Sequence, residues 1–114
     1  MKDFIRVMKA LSDPNRVKII KMLENKPLCV CEITAVLQLA QPTVSKHLKL
    51  LEDAGLVDSS KDGSWVNYRL AESTASAYGR VMLAHMREWL DNDKSIKDVV
   101  FRCKTVDRCG IKAA

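Results

Sequence analysis

The chain has 114 residues, of which 47% are hydrophobic and 29% are charged, a composition typical of one globular domain and not of a disordered segment. No apolar run is long enough for a membrane span, and charged residues interrupt the N-terminal segment, so we expect a cytoplasmic protein with no signal peptide and no membrane partner. The formal net charge of +5 is compatible with a polyanionic partner but does not by itself indicate one.

Two helices are predicted before residue 25. Apolar residues recur at helical spacing over residues 4–11. Asp13 followed by Pro14 is typical of a helix start, with Asp13 as the N-cap and Pro14 at the first helical position. The second helix is therefore predicted to run from Pro14 to about Glu24.

The next two predicted helices form a helix-turn-helix. A third helix covers about residues 31–39, and a fourth covers about residues 41–54. Gly55 follows as a left-handed cap that ends the fourth helix. Two short helices joined by a tight turn are the helix-turn-helix pattern, in which the second helix reads DNA.

A β-hairpin is predicted directly after this motif. Apolar and polar residues alternate over residues 65–70, as in a strand, and Leu56 and Val57 begin the opposing strand. Asp62 and Gly63 between them are a strong hairpin-turn signal. A hairpin in this position is a wing.

A last helix is predicted over about residues 75–92, with a coiled-coil-like seam. The seam residues are Tyr78, Met82, His85 and Trp89. The predicted fold is mainly helical with a β-hairpin wing, in the order α-α-α-α-β-β-α, and it forms a homodimer through its first and last helices. Residues 1–93 are assigned to this DNA-binding and dimerisation domain. Residues 94–114 are assigned to a basic, cysteine-containing tail with a short helix over residues 96–103.

The fourth helix presents one polar face. If Val44, Leu48 and Leu51 face the core, a turn of about 100° per residue leaves the opposite face to solvent. Recognition helices present their N-terminal residues to base edges, and wings hold phosphates. The predicted DNA-binding residues are Gln41, Pro42, Thr43, Ser45, Lys46 and Lys49 on the helix, and Lys61 and Arg69 on the wing. His47 lies nearer the core and is interpreted as structural.

Two cysteines, Cys29 and Cys31, lie at the start of the third helix. Thiolates are soft ligands for soft ions, and a helix N-terminus favours the thiolate by lowering the pKa of the thiol. Residues i and i+2 of a regular helix lie about 200° apart and do not bind one ion together. Either this turn is not helical, or the ion unwinds it and so displaces the fourth helix. In a cytoplasmic chain these cysteines are expected to be thiols and not disulfides.

Several stretches resemble the ArsR/SmtB family of winged-helix regulators. Residues 10–16 (ALSDPNR) resemble its AL(S/A)(D/S)PxR opening, and residues 28–33 (LCVCEI) resemble its LCVCDL box. Residues 41–48 (QPTVSKHL) resemble its SQPTVSRHL recognition-helix box, and residues 51–57 (LEDAGLV) continue the match. The similarity covers about residues 4–89.

The resemblance implies a homodimeric repressor that needs no cofactor to bind double-stranded operator DNA and that dissociates when a metal or metalloid binds. Family members with neighbouring cysteines respond to arsenite and antimonite, so As(III) or Sb(III) is the implied inducer, with Cys29 and Cys31 as ligands. Thr34 stands where the arsenic-sensing motif commonly has a third cysteine. The third ligand is then Cys103, Cys109 or a small thiol, or it is absent.

Other functions stay open at this point. Cadmium, lead, zinc or thiol oxidation would change the signal and keep the fold. A winged-helix module that binds protein without DNA is another class. An enzyme is not expected, because no CxxC lies near a βαβ pattern and no glycine-rich cofactor loop is present. His85 and Glu88 fit half of a zinc site known in the family, but Thr74 replaces its histidine, so His85 is interpreted as a packed core histidine.

Overall fold

The computed structural model describes residues 1–72 and 76–106. The helices are α1 Lys2–Ala10, α2 Pro14–Leu23, α3 Val30–Leu37, α4 Gln41–Asp53, α5 Ala77–Met86 and α6 Lys94–Cys103. The strands are β1 Leu28–Cys29, β2 Val57–Asp62 and β3 Trp65–Leu70. This order confirms a mainly helical fold in which a helix-turn-helix, α3 and α4, precedes a hairpin wing. Within the described ranges, no helix is long and apolar enough to cross a membrane.

The local signals at the helix ends act as predicted. The Asp13 carboxylate accepts hydrogen bonds from the backbone N–H groups of Asn15 at 2.8 Å and Arg16 at 3.2 Å, so it caps α2. Gly55 has φ = 77° just beyond the end of α4, a left-handed conformation that costs glycine little. These caps fix where α2 and α4 begin or end, and so fix the residues that α4 presents.

The sheet has three strands in the order β1-β3-β2, one more than the predicted hairpin. Strand β1 pairs antiparallel with β3, with Leu28 opposite Tyr68 and Cys29 opposite Asn67. Two residues are too few to show the alternation that identifies a strand in a sequence. The hairpin turn falls one residue later than predicted, because Asp62 pairs with Trp65 and leaves Gly63, at φ = 64°, inside the turn.

Helix α5 ends at Met86, so the prediction that it continues to residue 92 is wrong. The Lys21 ammonium of α2 donates hydrogen bonds to the backbone oxygens of Met86 at 2.6 Å and Trp89 at 2.9 Å. Leu90 then takes a left-handed conformation with φ = 68°. A buried lysine therefore satisfies the Met86 carbonyl at the end of α5 and the Trp89 carbonyl just beyond it, and the chain turns away toward α6. The predicted first residue of this helix, at position 75, lies outside the described residues.

Helix α6 confirms the predicted short helix over residues 96–103 and begins two residues earlier, where Asp93 caps it. It packs against α2 and α3, burying Ile96, Val99 and Cys103. The described part of the predicted tail is thus packed onto the helices that precede it. Residues 107–114 lie outside the description.

Candidate functional site

The side of α4 that packs against the core is the side predicted from the sequence. Val44, Leu48 and Leu51 are each 0% exposed and pack against the buried residues of α2 and α3. The opposite face of α4 therefore points to solvent. All of the predicted DNA-binding residues are exposed: Gln41, Pro42, Thr43, Ser45, Lys46 and Lys49 on α4, and Lys61 and Arg69 on the wing.

The two lysines of this face differ in their electrostatic surroundings. The Lys49 ammonium lies 3.1 Å from the Asp53 carboxylate on the next turn, and the hydrogen bond to Asp53 raises the pKa of Lys49. Lys46 has no ion-pair partner among residues 1–72 and 76–106. Lys46 is therefore the stronger phosphate donor of the two, since the charge of Lys49 is partly neutralised.

His47 is half-buried and acts structurally, as interpreted from the sequence. Its Nδ1 lies 3.2 Å from Nη1 of Arg16. A guanidinium has no acceptor atom, so Arg16 donates and His47 Nδ1 accepts. Arg16 also donates to the backbone oxygens of Ala10 at 2.8 Å and Lys9 at 3.1 Å. It thereby joins the C-terminal end of α1 to α4, a role that no sequence pattern indicated.

The thiol pair forms where β1 passes into α3. Cys29 is the N-cap of α3, in an extended conformation with φ = −83° and ψ = 164°, and Cys31 lies in the first helical turn. The two Sγ atoms are 2.7 Å apart. Of the two sequence-based alternatives, the structure shows the first: the backbone at Cys29 is not helical. The two sulfurs therefore lie side by side without any unwinding of α3.

Glu32 holds this junction in place. Its Oε1 accepts a hydrogen bond from the backbone N–H of Cys29 at 2.8 Å, and the side chain is 8% exposed. Cys29 and Glu32 occupy the N-cap and N3 positions of a capping box. The Cys-x-x-Glu spacing carries this signal in the sequence, but cysteine is not one of the usual cap residues, so the signal was missed.

The Cys29 thiol is neutral at physiological pH. Burial, the Cys31 thiol and the Glu32 carboxylate together raise the pKa of Cys29 to about 12. The expectation that the N-terminus of α3 lowers this pKa is wrong for Cys29, because the thiol is buried at 1% exposure and faces a carboxylate. A ligand that binds Cys29 must displace its proton.

Within residues 1–72 and 76–106, the structure brings no third ligand to the pair. Cys103 is 2% exposed within α6, and burial raises its pKa to about 11. Among the residues described, no group of three or more His, Cys, Asp or Glu side chains is arranged to hold a metal ion. The Thr34 hydroxyl is buried and has no hydrogen-bond partner in the described part of the chain. Cys109 lies outside the described residues.

The interpretation of His85 as a histidine packed in the dimer seam stays a prediction. Within one chain its ring is exposed and stacks on Trp89, with ring centroids 5.2 Å apart. The seam of α5 thus faces outward from the single chain.

Comparisons with known proteins identify the family of the chain. Residues 13–59 match the family model described as bacterial regulatory protein, arsR family. The arsenical resistance operon repressor of Escherichia coli K12 is 43% identical over 68 residues, 59% of this chain and 58% of that repressor. The arsenic resistance transcriptional regulator ArsR1 of Pseudomonas putida is 35% identical over 91 residues, 76% of this chain and 71% of ArsR1. A Staphylococcus aureus homologue of the cadmium resistance regulator CadC is 36% identical over 87 residues, 75% of this chain and 72% of the homologue.

Solved structures show the same architecture. HlyU from Vibrio cholerae superimposes with a TM-score of 0.65 at 29% identity, covering 76% of this chain and 90% of HlyU. A homodimeric winged helix-turn-helix DNA-binding domain from Mycobacterium bovis also gives 0.65, at 26% identity, covering 76% of this chain and 77% of that domain. The chain therefore belongs to the arsR family of bacterial regulatory proteins, whose members are DNA-binding transcription regulators and not enzymes.

Proposed function

We propose that this repressor binds double-stranded operator DNA as a cytoplasmic homodimer and releases it when arsenite or antimonite binds Cys29 and Cys31. The observation that carries the proposal is the contact between the two sulfur atoms, 2.7 Å apart, at the junction of β1 and α3. The arsenical resistance regulators among the relatives support the choice of ligand.

Operator binding uses the exposed face of α4 and the wing. Gln41, Thr43 and Ser45 lie at the N-terminal end of α4, which is the end that enters the major groove in helix-turn-helix proteins. Lys46 and the wing residue Arg69 supply charge for phosphates. All of these donors belong to the chain itself, so DNA binding needs no cofactor.

The chemistry of a neutral thiol suits a metalloid hydroxide. Arsenous acid is uncharged near neutral pH, and each of its hydroxyl groups leaves as water when a thiol supplies the proton. For Cys29, an S–H and an As–OH are consumed and an As–S bond and a water molecule are formed. Two thiols leave the arsenic one hydroxyl, and a small thiol or a further cysteine of the chain can replace it. Cys103 and Cys109 are the candidates within the chain.

The thiol site is connected to both DNA-binding elements. Cys29 pairs with Asn67 in β3, the strand of the wing that also carries Arg69. Helix α3, which begins at this junction, packs against α4. Binding of both sulfurs to one arsenic atom changes the backbone geometry where β1 passes into α3. This change reaches the wing through β3, and it reaches the recognition helix α4 through α3.

The test is fluorescence anisotropy of the reduced protein on labelled DNA from upstream of its own gene, titrated with arsenite. We expect the wild type to bind the DNA and to release it with arsenite. Cys29→Ser and Cys31→Ser are expected to bind equally well and to stay bound. Cys103→Ser tests whether this thiol is the third ligand, in which case the variant would need more arsenite for release. DNA binding that arsenite does not reverse would contradict the proposed inducer.

The same sulfur contact favours a second candidate, in which another soft ion or an oxidant is the signal. One relative is named as a homologue of the cadmium resistance transcriptional regulatory protein CadC. Oxidation would join Cys29 and Cys31 in a disulfide, releasing two protons and two electrons to an oxidant such as a peroxide. Release of DNA by cadmium, lead or zinc but not by arsenite, or by peroxide without any metal, would identify this candidate.

A further inference from the structure

Helix α1 carries a row of cations on one face. Lys2, Arg6 and Lys9 are spaced by four and three residues, so at about 100° per residue they lie within about 60° of each other. All three are exposed, and none has an ion-pair partner within residues 1–72 and 76–106. Asp3 is the only acid of α1, and it lies about 100° away from Lys2. We call Lys2, Arg6 and Lys9 the α1 basic row.

This basic row borders an open cleft of about 1000 Å³ between α1 and α4. Leu50 and Asp53 of α4 line the other side. Asp53 is the one acid among the lining residues, and it is already paired with Lys49 at 3.1 Å. The cleft therefore has a net positive charge and opens beside the helix that reads DNA.

Arg16 sets the distance between α1 and α4, the two helices that line the cleft. It donates to backbone oxygens at the C-terminal end of α1, at 2.8 Å and 3.1 Å, and to His47 of α4, at 3.2 Å. A planar guanidinium that makes three hydrogen bonds at once holds its partners in a fixed arrangement. The basic row is thus held in register with α4 and does not depend on a flexible segment.

We propose that the α1 basic row is a second DNA-contacting surface, which binds operator phosphates beside α4. The proposal rests on operator binding by α4. DNA is the favoured occupant for two reasons. Three unpaired cations match a row of phosphates and do not match an apolar partner helix. The row also shares a cleft with Leu50 and Asp53 of α4, so the two helices lie close enough for one duplex to contact both.

The test is the salt dependence of operator affinity for the triple variant Lys2→Gln, Arg6→Gln, Lys9→Gln. Each lost phosphate contact lowers the slope of log affinity against log salt by about 0.9, so three contacts lower it by about 3 per protomer. The matched control is Lys94→Gln, Lys97→Gln, Lys104→Gln, at two positions of α6 and its C-cap, which removes the same charge and is expected to leave the slope nearly unchanged. Circular dichroism and sedimentation check folding and oligomeric state.

Three results would overturn the inference. One is an unchanged slope in the α1 variant, and another is an equal fall in both variants, which would indicate a nonlocal charge effect. The third is conversion of the α1 variant to a monomer, which would show that the partner subunit, and not DNA, binds at the cleft. If the wild type itself fails to bind the operator, the proposed function fails instead, so the two failures are distinguishable.

Discussion

At the scale of single residues, Thr34 decides how many sulfurs the site contains. It lies one turn after Cys31 on α3, and its buried hydroxyl has no hydrogen-bond partner in the described part of the chain. A thiol at this position would lie on the same helix face as Cys31, since residues three apart are neighbours on a helix.

We predict that Thr34→Cys strengthens the arsenite response. A third thiolate would replace the remaining hydroxyl on arsenic and lower the arsenite concentration for half-release of operator by about tenfold or more, equivalent to about 1.4 kcal/mol. The anisotropy titration measures this, with Thr34→Ser as the control that keeps the hydroxyl. An unchanged midpoint in Thr34→Cys would show that a third sulfur already binds in the wild type.

Residue types and spacings were enough to identify some of these positions. Asp13, Gly55 and the pair Cys29 and Cys31 carry local signals, because a cap or a dithiol depends on neighbours close in the chain. The raised pKa of Cys29 was not foreseeable, because it depends on burial created by distant residues. The three contacts of Arg16 reach α1 and α4, and no spacing in the sequence encodes them.

At the scale of elements, the Lys21 side chain of α2 bonds to the end of α5 and so links the two helices. Its side chain is 1% exposed, and its ammonium lies 2.9 Å from both the Glu24 and the Asp91 carboxylates. Burial lowers the pKa of Lys21, but the two carboxylates outweigh it and the net pKa is raised. The lysine is therefore charged and fully partnered, with the backbone oxygens of Met86 and Trp89 as further acceptors.

We predict that Lys21→Met destabilises the protein by about 3–5 kcal/mol, because it leaves the largely buried Glu24 carboxylate and the backbone oxygens of Met86 and Trp89 without their donor. Urea unfolding measures the loss. The double variant Lys21→Met, Glu24→Gln removes the uncompensated charge and is expected to recover part of the stability. A loss below about 1 kcal/mol for the single variant would contradict this role.

The boundaries of elements were less predictable than their existence. Helices α2, α4 and α6 and the hairpin follow their sequence patterns. Strand β1 exists because β3 offers it a pairing edge, and α5 ends early because a lysine 65 residues away binds the Met86 carbonyl. Both features are tertiary, so local periodicity does not report them.

At the scale of the whole molecule, α1 and α5 expose apolar surface that a second subunit can cover. Phe4 and Tyr78 pack edge to face with ring centroids 5.3 Å apart, yet they remain 40% and 49% exposed. Val81 on α5 is 53% exposed. This surface supports the proposed homodimer through the first and last helices of the winged domain, in line with the homodimeric domain from Mycobacterium bovis.

We predict that Val81→Glu converts the dimer to a monomer and weakens operator binding, since each protomer then binds only half of the site. Phe101→Glu is the matched control, because Phe101 is 65% exposed but lies on α6. Light scattering on a sizing column gives the mass of each variant. A dimeric Val81→Glu together with a monomeric Phe101→Glu would move the interface to α6.

The measurement that tests the central claim most directly is inducer-driven operator release at pH 6.5 and pH 8.0, with arsenite and with cadmium. Because the pKa of Cys29 is raised to about 12, its thiol keeps its proton at both pH values. Cadmium must expel that proton, so its midpoint should fall by about tenfold or more per pH unit. Arsenous acid takes up the proton as water, so its midpoint should show no such fall.

Operator affinity without inducer is measured at both pH values, so that any pH dependence of DNA binding itself is subtracted. The account predicts arsenite-driven release at both pH values that disappears in Cys29→Ser. An arsenite midpoint that falls as steeply with pH as the cadmium midpoint, or release that persists in Cys29→Ser, would contradict the claim that the Cys29–Cys31 pair, with Cys29 as a neutral thiol, is the arsenite sensor.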